Sequence, residues 1–212
     1  MSGPYERLLA VDPVLCSIAR VHGCPDPFAW FAGGGTDLTN FAAMVLHIGS
    51  QQISTTAALA VFGRVWDAAG GGIDPAGIDA LGSDRLRGLG LSSAKAVAIA
   101  GLARMHLDGT LDTDALDGLD DAAVIEALTA ARGVGPWTAQ TFLIHQLRRP
   151  DVLPAGDLGI RQAVRTAWAL PALPRIEEVR QRGERWSPYR TYAAALLWAS
   201  LRRGPDRYSN VK

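Results

Sequence analysis

One short stretch limits the fold more than any other: Leu128-Thr-Ala-Ala-Arg-Gly-Val-Gly-Pro-Trp-Thr-Ala139. Before it, Val124, Ile125 and Leu128 recur at helical spacing. After it, Trp137, Phe142, Leu143, Ile144 and Leu147 do the same. The residues between, Gly133-Val134-Gly135, predict a tight turn, so the stretch reads as helix, hairpin, helix over 123–147. Two glycines two apart let the backbone take positive φ and let a ligand approach the main chain closely. Pro136 suits the first turn of the second helix, where a missing N–H costs nothing. The N–H groups left over at that helix start attract an anion, and a phosphate is the obvious one. An ordinary αα-hairpin with a glycine-rich turn satisfies the same letters, and a motif this short matches often by chance.

The rest of the chain is helical by the same test, and nothing alternates at period two for long, so the expected class is all-α. Residues 5–20 predict a helix that Pro13 breaks or bends. Gly33-Gly-Gly35 predicts a flexible loop, after which Thr36 or Asp37 caps a helix ending at Gly49-Ser50. Ser54 caps the next helix, to Ala69, and Gly70-Gly-Gly72 ends it. One or two short helices follow over 73–90. Ser92 caps a long one over 93–106 whose Ala96, Ile99, Ala100 and Ala103 allow close packing. Residues 107–119 form a turn and a short helix. Pro150 to Gly156 is a loop, and Asp157 begins a helix through Leu170 that Pro171 and Pro174 break. A charged helix over 175–185 and a last helix opened by Ser187-Pro188 complete the chain, with residues 205–212 frayed.

Charge gives no global sign of a polyanionic partner: 21 basic residues balance 21 acidic ones. Any face that binds a polyanion must therefore be local. Arg148, Arg149, Arg161 and Arg165 sit close in sequence to the hairpin and the loop after it. Two cysteines, Cys16 and Cys24, cannot ligate an iron–sulfur cluster, which takes four. His22, His47, His106 and His145 show no ligand spacing with them and read as core or surface residues. No apolar run reaches the length of a membrane span and no signal peptide opens the chain. The expected location is the cytoplasm, and the expected state is a monomer.

The hairpin with its Gly/Pro-rich turn resembles the helix-hairpin-helix motif of the HhH-GPD DNA glycosylase superfamily. Downstream, Asp151-Val-Leu-Pro-Ala-Gly-Asp-Leu-Gly-Ile-Arg-Gln162 is similar to the loop carrying that superfamily's aspartate, which falls on Asp157. Upstream, Ile48-Gly-Ser-Gln-Gln-Ile-Ser54 resembles its strand-separating turn. Gly90-Leu-Ser-Ser-Ala-Lys95 and Leu107-Asp-Gly-Thr-Leu111 also match the DNA-3-methyladenine glycosylase II branch. The resemblance runs from about Asn40 to about Ser200. It implies a two-lobed helical fold with the active site in the cleft between the lobes. The central lobe would cover about 55–148, and the second would join 1–54 to 149–204. It implies a monofunctional glycosylase of base excision repair that releases alkylated purines, 3-methyladenine and 7-methylguanine, from double-stranded DNA after base flipping.

The residues implied in that chemistry each have a plainer reading. Asp157 stands just before a helix, where aspartate is a preferred cap. The same helix end favours the negative charge that a glycosylase needs, because breaking the bond to deoxyribose develops positive charge on the sugar. Trp137 stands where bifunctional members carry an amine nucleophile, and an indole cannot form a Schiff base. Trp137, Trp198 and Thr141 are expected to line the base pocket, although plain core packing explains both tryptophans equally well. Gln51 and Gln52 are surface polar residues or a wedge that fills the gap left by the extruded nucleotide, with Gln51 the favoured wedge. Gly133, Val134, Gly135, Thr138 and Arg161 are expected on the DNA backbone. Relatives hold an alkali-metal ion at the hairpin; here the main-chain oxygens of Thr129, Ala131 and Val134 would supply it, with no other cofactor required. Two further functions use the same residues: a bifunctional glycosylase/lyase for oxidised bases, which Trp137 opposes, and a DNA-binding module without catalysis, which Asp157 opposes.

Overall fold

The computed structural model describes residues 3–29 and 38–201. Every regular element among them is helical, and no strand occurs. They form two compact units, one built from 38–147 and one from 3–29 together with 148–201.

The contiguous unit is arranged on α3 (Asn40–Ser50), in which every side chain from Asn40 to Ile48 is buried. Thr39 caps it, its hydroxyl accepting from Ala42 N–H at 3.2 Å. The expected caps Thr36 and Asp37, and the Gly33–Gly35 loop, lie outside the described residues, as do residues 205–212. Asn40 donates to the Thr113 carbonyl at 3.0 Å and to Asp117 at 3.1 Å, which ties α3 to a 3-10 turn at Asp114–Gly118. Against α3 pack α4 (Thr55–Ala68), α6 (Ser93–Leu107) and α8 (Pro136–His145), while α5 (Pro75–Gly88) packs on α6 and α7 (Asp121–Thr129) on α8. Gly82, at φ 67°, breaks α5 into two short helices, where one or two were expected over 73–90. Ala96, Ile99, Ala100 and Ala103 of α6 are buried as expected. The expected boundary at residue 54 is corrected. A helix apolar on every side needs neighbours on every side, and α3 finds them in α4, α6 and α8 of this unit.

The second unit takes α1 (Pro4–Val11) and α2 (Pro13–His22) from one end of the chain. It takes α9 (Leu158–Ala167), α10 (Ile176–Gly183) and α11 (Arg190–Ser200) from the other. Pro13 separates α1 from α2 as expected, and Asp12 between them does two jobs. Its Oδ1 accepts from Val14 N–H at 3.0 Å and Leu15 N–H at 3.2 Å, capping α2. Its Oδ2 accepts from the indole N–H of Trp186 at 2.9 Å, inside a core of Leu8, Leu15, Ile160, Val164 and Leu196. Two helix ends differ from expectation. α9 stops at Ala167, not Leu170, because the chain turns through Ala169 at φ 49°. α11 begins at Arg190, not at Ser187-Pro188, because Ser187 and Arg190 are both bonded to Asp151 ahead of the helix. Arg190 holds that carboxylate through two nitrogens, at 2.7 and 2.8 Å. Burial acts against the charge, but the bonds from Arg190 and Ser187 outweigh it and hold Asp151 below its ordinary pKa. The pair anchors the loop that leads to Asp157.

Among the described residues of the contiguous unit, two buried histidines, His47 and His145, lie side by side. The His47 ring lies 3.4 Å from the Thr141 hydroxyl, stacks on His145 at 6.4 Å and meets the edge of Phe142 at 5.8 Å. Burial first, and His145 second, push its pKa well below the ordinary value of 6.5. The folded protein therefore holds a neutral ring while the unfolded chain takes up a proton below about pH 6.5, so stability is lost as pH falls through that value. Urea unfolding should show the midpoint dropping between pH 7.5 and 5.5, by at most about 1.4 kcal/mol per pH unit below 6.5. His47→Gln should flatten that dependence. An equal slope in both proteins would mean that other groups cause it.

Candidate functional site

Asp157 is the N-cap of α9, its Oδ1 accepting from Ile160 N–H at 2.7 Å. The same oxygen accepts from the indole N–H of Trp198, on α11, at 3.1 Å. Two donors from different elements thus fix the orientation of one carboxylate. Gly159 makes room for it. A Cβ at Gly159 would lie 2.9 Å from Asp157 Oδ1, 3.1 Å from Leu201 Cδ1 and 3.7 Å from Trp198 Cδ1. The need for glycine here is steric and has nothing to do with φ. Sequence reasoning missed Gly159, although Asp-Leu-Gly was in view. It also missed the bond from Trp198, which joins residues 41 apart. What such an arrangement can do is hold a negative charge in a set direction against a positive one.

The hairpin is placed by α6. Gly133 takes φ 84°, and a Cβ there would sit 2.9 Å from the Cβ of Ala98. Gly135 corrects the expectation of two positive-φ glycines: at φ −97° and ψ 172° it is extended, and it caps α8. No atom lies within 4 Å of where its Cβ would be, so the backbone is open to an approaching ligand on that side. Val134 N–H closes the turn on the Ala131 carbonyl at 3.1 Å. Thr138 is 3 % exposed, and its hydroxyl accepts from Gln51. Its side chain therefore does not face solvent, and what it can offer an anion is its N–H in the first turn of α8.

Other expected residues sort differently. Thr141 is 2 % exposed and donates to the Thr138 carbonyl at 2.9 Å, which places it inside the unit and not on an open pocket wall. Trp137 is 41 % exposed in the first turn of α8, so it is not core packing. Trp198 is half-buried beside Asp157. Arg161 commits its Nε to the Pro174 carbonyl at 2.8 Å, which leaves only part of its guanidinium for a phosphate. Gln51, the favoured wedge, is tied down: its amide donates to the Gly133 carbonyl and to the Thr138 hydroxyl, both at 3.1 Å. Gln52 beside it is exposed, at φ 58°. Lys95, which no sequence argument placed here, donates to the Gly49 carbonyl at 2.9 Å and the Gln51 carbonyl at 2.6 Å.

The carbonyls proposed for an alkali ion fit that role chemically. All three are oxygen donors; among the described residues no backbone N–H donates to Thr129 or Val134, while Ala131 carries the one turn bond.

Gly135→Asp tests the hairpin. The new carboxylate has room and is a good helix cap, so the melting temperature should hold or rise. It also puts negative charge where a phosphate would dock. Binding of damaged and undamaged duplex alike should weaken roughly tenfold at low salt. A loss confined to damaged DNA would mean that the hairpin is not the phosphate contact.

Residues 45–188 match the family model described as HhH-GPD superfamily base excision DNA repair protein. The chain is 32 % identical over 161 residues to DNA-3-methyladenine glycosylase 1 of Schizosaccharomyces pombe, covering 74 % of this chain and 71 % of that one. The structure of the 3-methyladenine DNA glycosylase from that yeast in complex with abasic DNA superposes with a TM-score of 0.74 at 25 % identity, over 93 % of this chain and 95 % of that one. A DNA-3-methyladenine glycosidase from Bacillus halodurans superposes with a TM-score of 0.75 at 30 % identity, over 93 % and 88 %.

Proposed function

The chain belongs to the HhH-GPD superfamily of base excision DNA repair proteins, and from that premise we propose that it is a monofunctional DNA glycosylase that hydrolyses the N-glycosidic bond of alkylated purines in DNA. The observation that carries the reading is the Asp157 carboxylate, fixed by the Ile160 and Trp198 N–H groups at the start of α9. The bond from base nitrogen to sugar breaks with its electron pair leaving on the base. Positive charge develops on the deoxyribose, and a preset carboxylate stabilises it more in the transition state than in the ground state. Water then adds to the sugar, and Asp157 accepts its proton or hands it to solvent.

The substrates are bases already carrying positive charge, 3-methyladenine first and 7-methylguanine second. A base methylated on a ring nitrogen is cationic and leaves without being protonated, whereas a neutral base needs an acid. The indole face of Trp198 beside the carboxylate suits a cation, each cation–π contact adding on the order of 0.5–2 kcal/mol. Such recognition reads no particular base edge, so selectivity is broad. Gln52, exposed and unlike Gln51 not tied to the hairpin, is the wedge. An alkali ion held by the Thr129, Ala131 and Val134 carbonyls would stiffen the hairpin without taking part in chemistry.

Base release from methylated DNA, resolved by chromatography beside duplexes carrying hypoxanthine, uracil or 8-oxoguanine, tests the reading. Release of 3-methyladenine should be fastest and of hypoxanthine slower. Borohydride should trap no covalent protein–DNA adduct, since position 137 is tryptophan. Uracil or 8-oxoguanine leaving faster than 3-methyladenine would overturn the alkylpurine reading, and a trapped adduct would move the protein to the lyase reading.

A further inference from the structure

A lysine ordinarily keeps its ammonium in water, and this chain has only two, Lys95 and Lys212. Lys95 instead turns two of its three donors onto carbonyls at the end of α3, Gly49 at 2.9 Å and Gln51 at 2.6 Å. The last carbonyls of a helix have no helical partner and carry the negative end of its dipole, so an ammonium is suited to them. The residue that follows, Gln52, holds φ 58°, a conformation that non-glycine residues keep only where the surroundings impose it. Two further contacts bind the same turn to the hairpin. Gln51 reaches the Gly133 carbonyl and the Thr138 hydroxyl. Ala98, one turn along α6 from Lys95, meets Gly133 so closely that no Cβ fits there.

We propose that Lys95 is a positioning residue for the duplex-entering turn: by clamping the Gly49 and Gln51 carbonyls it fixes Gln52 for insertion and sets it against the hairpin that α6 also carries. The inference rests on the glycosylase reading, because only a protein that extrudes a nucleotide needs such a wedge. Lys95 acts here through the main chain, and its charge is not required to touch DNA. Burial of the ammonium, which lowers its pKa from the ordinary value, fits a group turned toward protein.

The test uses full-length protein and a duplex in which a stable abasic analogue lies opposite 2-aminopurine, whose fluorescence rises when it unstacks. Anisotropy on the same duplex reports the bound fraction. At saturation, wild type should raise the fluorescence. Lys95→Met should lower that rise to below about a third while its affinity for undamaged duplex stays within about threefold, as expected when charged hydrogen bonds are lost away from the phosphates. Lys95→Arg, which keeps donors and charge, should restore it, and Gln52→Ala should mimic the loss. In single turnovers Lys95→Met should release 3-methyladenine roughly tenfold more slowly from duplex but near the wild-type rate from single strands, where nothing has to be wedged apart. If Lys95→Met does not fold, Lys95→Gln takes its place with the same expectation. A full fluorescence rise, equal loss on duplex and single strand, or weaker binding to every duplex would overturn the proposal. The last of these would make Lys95 a phosphate contact. Wild-type protein that released no methylpurine would overturn the glycosylase reading alone, since the fluorescence comparison needs no catalysis.

Discussion

Asp157→Asn is expected to lower the release of 3-methyladenine by about a thousandfold or more, with duplex binding unchanged or tighter. The substitution keeps the shape of the side chain. Its carbonyl oxygen can still accept from Ile160 N–H and Trp198 Nε1, so α9 keeps its cap and the fold loses at most about 1 kcal/mol. What disappears is one negative charge beside a developing cation. Removing a single neutral donor from a charged transition state costs about a hundred- to a thousandfold in rate, and a full charge should cost at least the upper end of that. Binding can tighten because one repulsion against the phosphates is gone. Single-turnover release and equilibrium binding on the same methylated duplex measure both. Retention of more than about a tenth of the wild-type rate, a loss far too small for such a charge, would mean that Asp157 caps a helix and does no more.

Asp12→Ala should destabilise the protein by about 3 kcal/mol, because one carboxylate serves two structures. Its cap on α2 contributes about 1–2 kcal/mol. Its other oxygen is the partner of the Trp186 indole, and leaving that N–H unsatisfied in a dry core costs about 1–3 kcal/mol more. Asp12→Asn should fall between the two proteins: one oxygen still accepts, but its NH₂ then faces a donor. Urea unfolding at pH 7 gives the three stabilities. A loss below about 1 kcal/mol in Asp12→Ala would show that water replaces the carboxylate, and that the bridge from α2 to Trp186 holds little. The effect reaches the proposed chemistry, since Asp157 and Trp198 belong to the same unit as Asp12.

The sequence was most legible where one residue acts on its own neighbours. Ser54, Ser92 and Asp157 cap the helices they were expected to cap, and Pro13 breaks the chain where its ring must. It was least legible where a side chain leaves its own segment. Lys95 bonds to carbonyls 44 and 46 residues away, and nothing in the letters around it marks a donor turned toward the main chain. Gln51 and Gln52 are the same residue type one place apart. Their roles separate only because the turn aims one at the hairpin and leaves the other outside. Thr141 read as a pocket residue from its place in the motif, but which face of α8 is inward depends on His47 of α3, far off in the chain. Gly135 shows a subtler limit. Glycine can mark a positive φ or simply empty space, and here it marks space.

One unit is split in sequence around the other, and this sets the order in which the two can fold during synthesis. Residues 38–147 are contiguous, so they can collapse as soon as they leave the ribosome. Helices α1 and α2 precede them but cannot bury Leu8 and Leu15 against α9 and α11 until those helices have been made. At roughly 5–20 residues per second they wait on the order of ten seconds, unpaired. The hairpin, proposed above to meet the phosphates, thus emerges and can fold before α9 and the Asp157 that caps it. During that interval α1 and α2 expose the apolar residues Leu8, Leu15 and Ile18 to any chaperone or protease that meets the nascent chain.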